Sequence, residues 1–278
     1  LVPAWQVARG NVNQTLRAGG RDTLGLAQGK RLRGALVVTE IALALIVLAG
    51  AGLLLKSFSR LLQVNPGFKA ENLLTVNLPL MDFEDEARRT AVLRETLVRI
   101  SQVPGVETAS GGSALPPVTA QRMSRFAAQG VPALADNTAY FIAVSPDYFR
   151  ALGTPVREGR EFAERDSATS AKTVIINQFM AQKLFPYESA LGKRIQLINS
   201  EQANDWREIV GVVADVRYSG LDDDRAMTIY TPFAQTPFMW SNLMIRTTVP
   251  PATLIAGVRQ AIQSADATLE PVRLRPME

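Results

Sequence analysis

From Ala35 to Leu55 the chain reads ALVVTEIALALIVLAGAGLLL, and nowhere else do apolar residues run so nearly unbroken. About twenty such residues in a helix cross a hydrocarbon core of ~30 Å. The run predicts a membrane-spanning helix with one large domain on a single side. Two other readings exist: a buried core helix, or a signal peptide. A signal peptide has a shorter apolar core close to the N-terminus, whereas this run begins at Ala35, although Ala49-Gly50-Ala51-Gly52 resembles a small-residue cleavage site.

After the apolar run the pattern shortens. Lys56 to Gln63 continues as a polar helix, and Asn65-Pro66-Gly67-Phe68 ends it as a turn. Leu73 to Leu80 alternates like a strand. A helix starts at Asp82–Asp85, with Leu93, Leu97 and Ile100 on one face, and Val106 to Ser113 is a second strand. Shorter elements follow. Strands are expected near Met123–Gly130, Thr138–Val144, Thr173–Ile176 and Gly192–Ile198, with helices at Pro146–Leu152 and Gln178–Phe185. Glu208 to Arg217 is the most strand-like run, followed by strands at Thr228–Tyr230 and Leu243–Arg246. Pro250-Pro251 then opens a helix facing inward through Leu254, Val258, Ala261 and Ile262, and Val272–Leu274 is a last strand. The fold class is α+β: one transmembrane helix, then two lobes. The divisions are a basic linker (1–34), the span (35–57), a β-α-β lobe in two parts (58–118 and 206–278) and an inserted α+β lobe (119–205).

Charge sets the orientation. Residues 1–34 hold six basic groups, Arg9, Arg17, Arg21, Lys30, Arg31 and Arg33, against Asp22 alone, while Lys56 and Arg60 follow the span. Basic flanks stay in the cytoplasm, so the N-terminus is expected inside and the domain outside. The rest of the chain is nearly balanced, so the basic pI belongs to the tail, and nucleic-acid binding is not read from it. Trp5, Val7, Val12 and Leu16 among polar residues form either an amphipathic helix along the inner membrane face or a solvated linker. Lys30, Arg31 and Arg33 would meet anionic headgroups, and Glu40 sits shallow enough to reach the interface or a polar neighbour. Ala49, Gly50, Ala51 and Gly52 let another helix backbone approach closely.

With no histidine and no cysteine, Ser-His-Asp and Cys-His nucleophiles and imidazole or thiolate zinc sites cannot be built. No phosphate-binding Gly-x-x-x-x-Gly-Lys-Ser/Thr loop occurs. Catalytic residues, cofactor and metal are therefore all expected to be absent. Asp222-Asp223-Asp224 and Asp166 are the carboxylate-rich candidates for an exterior metal-dependent enzyme, but adjacent side chains point apart where ligands must converge. Tyr140-Phe141, Tyr148-Phe149 and Phe238-Met239-Trp240 either pack a core or lobe interface or line a substrate groove.

Several stretches carry a resemblance: Arg33–Phe58, Asn65–Thr75, Pro104–Leu115, Val144–Asp166, Val174–Phe185, Leu191–Ile195 and Ile209–Arg217. In this order they resemble the second half of a duplicated permease of the macrolide-exporter type, MacB-like, in the FtsX superfamily, from its first membrane helix through its periplasmic core domain. Residues 1–21 resemble the tail of a preceding permease half. The resemblance implies a non-catalytic subunit of an ATP-driven export machine in the bacterial inner membrane. Its ATPase would be a separate polypeptide or domain, and one periplasmic lobe would be porter-like. The first helix would carry movement into the lobes. Implied partners are that ABC-type ATPase, the remaining permease helices or a second half, membrane lipid and a periplasmic adaptor. Relatives continue with three further membrane helices, so the sequence is expected to stop short of a whole permease. Asp147 stands where relatives commonly have glycine. The competing reading is a single-span tethered protein that captures a ligand between its lobes.

Overall fold

The computed structural model describes residues 23–62, 65–116, 122–132, 137–198, 205–218 and 226–277. The expected amphipathic stretch around Trp5 and the acidic run Asp222–Asp224 lie outside them. Among the described residues, those up to Leu62 form one compact unit and those from Asn65 another.

The described residues of the first unit form one helix, α1, Thr23–Leu62. It starts well before the apolar run, so residues 23–34, read from the sequence as part of a basic linker, are helical. Leu24, Leu26, Ala27, Gln28, Lys30, Arg31, Leu32 and Arg33 are strong helix formers, and they outweigh Gly25, Gly29 and Gly34. Within it Leu32–Ser59 is long and apolar enough to cross a membrane. The helix continues through the polar residues after Leu55, as their pattern predicts.

In the second unit, β1 (Leu73–Pro79), α2 (Glu86–Ser101) and β2 (Val106–Gly112) open the domain. Asp85 caps α2, its carboxylate accepting from the Ala87 N–H at 3.2 Å. Next come β3 (Arg122–Ala128), β4 (Thr138–Val144), α3 (Tyr148–Leu152), β5 (Val156–Gly159), β6 (Thr173–Asn177), α4 (Gln178–Leu184), β7 (Arg194–Leu197) and β8 (Trp206–Val213). The chain ends with β9 (Thr228–Pro232), β10 (Trp240–Thr247), α5 (Ile255–Ala265) and β11 (Val272–Pro276).

Strand pairing divides the domain in two. One part is an antiparallel sheet ordered β11-β1-β10-β2, in which β10 lies between the two strands joined by α2, a split β-α-β unit. Alternation along β1 sends Leu74, Val76 and Leu78 under α2 and α5, where they meet Leu93, Ile100, Val258 and Ile262. The other part is a ring of pairings, β4-β3-β7-β8-β6-β9 and back to β4, with β5 added on β8. Phe126, Val174, Ile176, Ile195, Ile209 and Ile229 form its core, together with Met180 and Leu184 from α4. The two parts meet through one β2–β4 pair, Gly112 opposite Val144. A third cluster around Tyr148, Phe149 and Tyr230 draws on both parts, taking Leu73 and Met244 from the first and Ile175 and Val213 from the ring.

Candidate functional site

The aromatic residues named as groove or interface candidates divide by environment. Tyr148 and Phe149 are both 1 % exposed and stack edge to face at 5.4 Å, and Phe149 does the same with Tyr230 at 4.9 Å. The Tyr218 hydroxyl donates to that of Tyr230 at 3.3 Å and lies 3.1 Å from that of Tyr148, which donates to the Ala114 carbonyl. Burial raises all three phenols above their ordinary range. These side chains are packing, with no face toward solvent. Tyr140 borders an open hollow of about 690 Å³ that Lys69, Arg157, Asn177, Asp215 and Arg217 also line. Phe238 is partly buried with its ring 6.2 Å from that of Phe141. Trp240 lies in β10, but its side chain falls outside the described residues.

An apolar groove forms elsewhere. About 410 Å³ of space lies between one edge of α2 and the segments 144–147, 162–166 and 232–234. Leu93, Leu97 and Val98 supply one wall, and Phe162, Val144 and Phe233 the other. Val98 is 48 % exposed, since the apolar stripe of α2 is wider than the sheet beneath it covers. The 160–166 loop is held by Asp166, which accepts both guanidinium nitrogens of Arg160 (2.7 and 2.8 Å), the Ala163 N–H (2.9 Å) and the Thr173 hydroxyl (3.3 Å). Burial alone would raise the Asp166 pKa, but these donors outweigh it and hold the carboxyl below its usual range. Glu161 goes the other way, raised by burial and then by the charge of Asp147, with Arg150 opposing. At the mouth Arg94 and Glu164 stand 4.0 Å apart, both largely exposed, so the pair contributes little.

Asp147, the position at which the resemblance departs from glycine, has φ of 64°. That is the left-handed region glycine favours and aspartate tolerates. That backbone conformation is why a glycine suits the position before α3.

Chemically the groove offers binding. Among the described residues no cluster of acidic groups could hold a metal ion, and Asp166 is committed to Arg160. None of the groove-forming residues on α2 was singled out from the sequence for binding; the signal that could have found them is Val98, an apolar residue beside the inward stripe of Leu93, Leu97 and Ile100.

The span residues sit in α1. Glu40 and Arg33 are exposed there, as are Ala49, Gly50, Ala51 and Gly52, while the side chains of Lys30 and Arg31 are outside the described set. A Cβ added at Gly34, Gly50 or Gly52 would meet nothing within 4 Å. Following one another in sequence, the four small residues form a narrow belt around about one turn of the helix.

The model of the family described as MacB-like periplasmic core domain matches residues 35–265. The chain is 26 % identical, over 139 residues, to the macrolide export ATP-binding/permease protein MacB 1 of Yersinia pestis bv. Antiqua (strain Antiqua), covering 50 % of this chain and 20 % of that protein. The protein of the same name from Yersinia pseudotuberculosis serotype I (strain IP32953) gives the same values. The chain thus spans about a fifth of the length of these curated relatives. Among solved structures, the periplasmic region of MacB from Actinobacillus actinomycetemcomitans superimposes with a TM-score of 0.50 at 15 % identity, over 77 % of this chain and 93 % of that one. That likeness concerns the fold.

Proposed function

The chain belongs to the MacB-like periplasmic core domain family, and from that premise we propose that it is the first-helix and periplasmic part of a permease in an ATP-driven export or mechanotransmission complex. One observation supports this most: a single family match runs from Ala35, inside the membrane-length helix, to residue 265 in the domain. The related proteins named above are ATP-binding/permease proteins. ATP is then used by a partner ABC-type ATPase, as a separate subunit or domain, and this chain is non-catalytic. The N-terminus is cytoplasmic, the domain periplasmic and the membrane the inner one, on the strength of the basic flank Lys30–Arg33. Further permease helices or a second permease half approach closely at Ala49–Gly52, lipid surrounds the rest of the span, and a periplasmic adaptor is a further partner.

The test uses the full-length gene product in membranes, co-expressed with its ATPase, comparing the intact permease with Gly50→Leu plus Gly52→Leu. Loss of the stimulation that the permease gives the ATPase, with the domain still folded, supports the reading. No effect, or no ATPase that associates, overturns it. That result would favour a tethered ligand-binding domain, the reading to which the apolar groove beside α2 lends support.

A further inference from the structure

The turn after the helix is built as an anchor. From Leu62, the end of α1, to Asn65 the chain has three peptide units, which reach ~11 Å at most when fully extended. A larger movement of the helix end must therefore load the turn at residues 65–69.

That turn is held by the domain at every residue from Pro66 to Lys69: Phe68 packs against the cluster around Tyr148 and Tyr230, and the other three are hydrogen-bonded. The Arg217 N–H donates to the Pro66 carbonyl at 3.0 Å, and the Lys69 N–H donates to the Leu152 carbonyl at 2.8 Å. The Thr154 hydroxyl donates to the Gly67 carbonyl at 2.8 Å. Arg246 gathers three carbonyls with one guanidinium: Lys69 at 2.8 Å, Glu71 at 3.0 Å and Ala151 at 2.7 Å. Gly67 has φ of 83°, and a Cβ there would collide with the Asp215 carbonyl oxygen and lie 2.9 Å from the Val216 Cα. The turn thus meets residues 215–216 backbone against backbone, where no side chain can change rotamer to absorb a displacement.

These contacts do not lead only into β1, the next strand along the chain. Residues 151–155 run from α3 into β5, and 214–217 run out of β8. β5 and β8 pair with each other, and the Ala214 N–H donates to the Pro155 carbonyl at 3.0 Å to close their shared end. β8 in turn belongs to the six-stranded ring. Next to Arg217, Tyr218 is fixed by the hydroxyls of Tyr148 and Tyr230.

We propose that the Asn65–Lys69 turn is the point at which load from the helix enters the domain. Gly67, Thr154 and Arg246 divide that load between β1 and the β5–β8 end of the ring, so both parts of the domain are driven together. The inference rests on the reading of α1 as a moving element, but its test needs no ATPase. The full chain, in detergent micelles, is pulled from a handle at its C-terminus against a second handle at Ser59→Cys or at Tyr187→Cys. The sequence has no other cysteine, and Tyr187 is 99 % exposed. Arg246→Gln and Thr154→Val are each compared with the parent chain. Thr154→Val removes one donor with little change of shape, and serves if Arg246→Gln does not fold.

With load entering at position 59, each variant is expected to lower the mean rupture force by about a third or more. With load entering at position 187, the reduction should stay below about a tenth. Equal reductions in both geometries, or none in either, would mean that the turn is ordinary packing and overturn the proposal. If the pulling result holds while the ATPase experiment fails, the load path stands and its use in transport falls; the reverse places the entry of force elsewhere in the domain.

Discussion

From Leu36 to Phe58 in α1 the large apolar side chains are between 49 % and 73 % exposed, whereas Leu73, Leu74, Ile142, Ile175 and Ile229 in the domain are fully enclosed. Both regions are apolar in sequence, but the helix is apolar all round and the domain is apolar on alternate positions or one face. An exposed apolar surface of this extent marks a contact with lipid or other helices. The difference teaches what each region selects for. The apolar run of the helix needs nearly all its side chains to be apolar, Thr39 and Glu40 near its start excepted, and few to be of a particular size, while the domain needs particular volumes at particular places. Its exposed positions are free in turn.

The sharpest way to break that comparison is to remove volume from each region. Phe126 is 0 % exposed and packs with Ile195, Leu197 and Ile209 inside the ring. Phe126→Ala should cost about 3–5 kcal/mol of domain stability, through lost transfer energy and the cavity left behind. Leu54→Ala in the helix, where Leu54 is 73 % exposed, should leave the denaturant midpoint of the domain unchanged. A shifted midpoint for Leu54→Ala would show that the two regions are not separate in this sense.

Charge should reverse the ranking. Val47, near the middle of the span, is 69 % exposed. Val47→Arg is expected to cost about 3 kcal/mol of membrane insertion, read as the fraction of chain that carbonate extraction releases. Val98→Arg, on the exposed edge of α2, should change domain stability by no more than about 0.5 kcal/mol. Equal tolerance at both positions would remove the membrane reading of α1.

How much of this was legible depends on whether the cause is local. β1, the Asp85 cap of α2 and the inward face Val258, Ala261 and Ile262 of α5 follow from alternation, capping chemistry and helical spacing. β5 does not, because Val156-Arg157-Glu158-Gly159 has one apolar residue and is a strand only through β8. The run Glu208–Arg217 looked like one strand, yet pairing stops at Val213. Beyond it the N–H groups of Ala214 and Arg217 go to Pro155 and Pro66 instead. The groove was hidden for the same reason: Leu97, Val98, Phe162 and Phe233 meet only once α2 and the loops are assembled. Of the aromatic candidates, Tyr148 and Phe149 are enclosed by Tyr230 and its neighbours, and nothing in a Tyr-Phe dipeptide announces which surface it will face.

The smallest effect is at the backbone. In α1 every residue has the same helical backbone, so glycine there is a matter of side-chain space, and a Cβ at Gly50 or Gly52 meets nothing in this chain. In the domain, Asp147 has φ of 64° and Arg150 lies 3.2 Å away in a half-exposed ion pair. Holding a side chain in that conformation costs about 1 kcal/mol. Replacing it by glycine relieves the cost but adds about 0.5–1 kcal/mol of backbone entropy to folding. The exposed ion pair contributes little, and the N–H of Ala151 still reaches the residue-147 carbonyl, a backbone bond that no substitution removes. Asp147→Gly should therefore leave stability within about 0.5 kcal/mol of the parent in urea unfolding. Asp147→Val, β-branched in the left-handed region, should lose about 1–2 kcal/mol. If instead glycine is markedly destabilising and valine is not, the carboxylate rather than the backbone is what this position supplies, and the charge beside Glu161 and the groove becomes its reason.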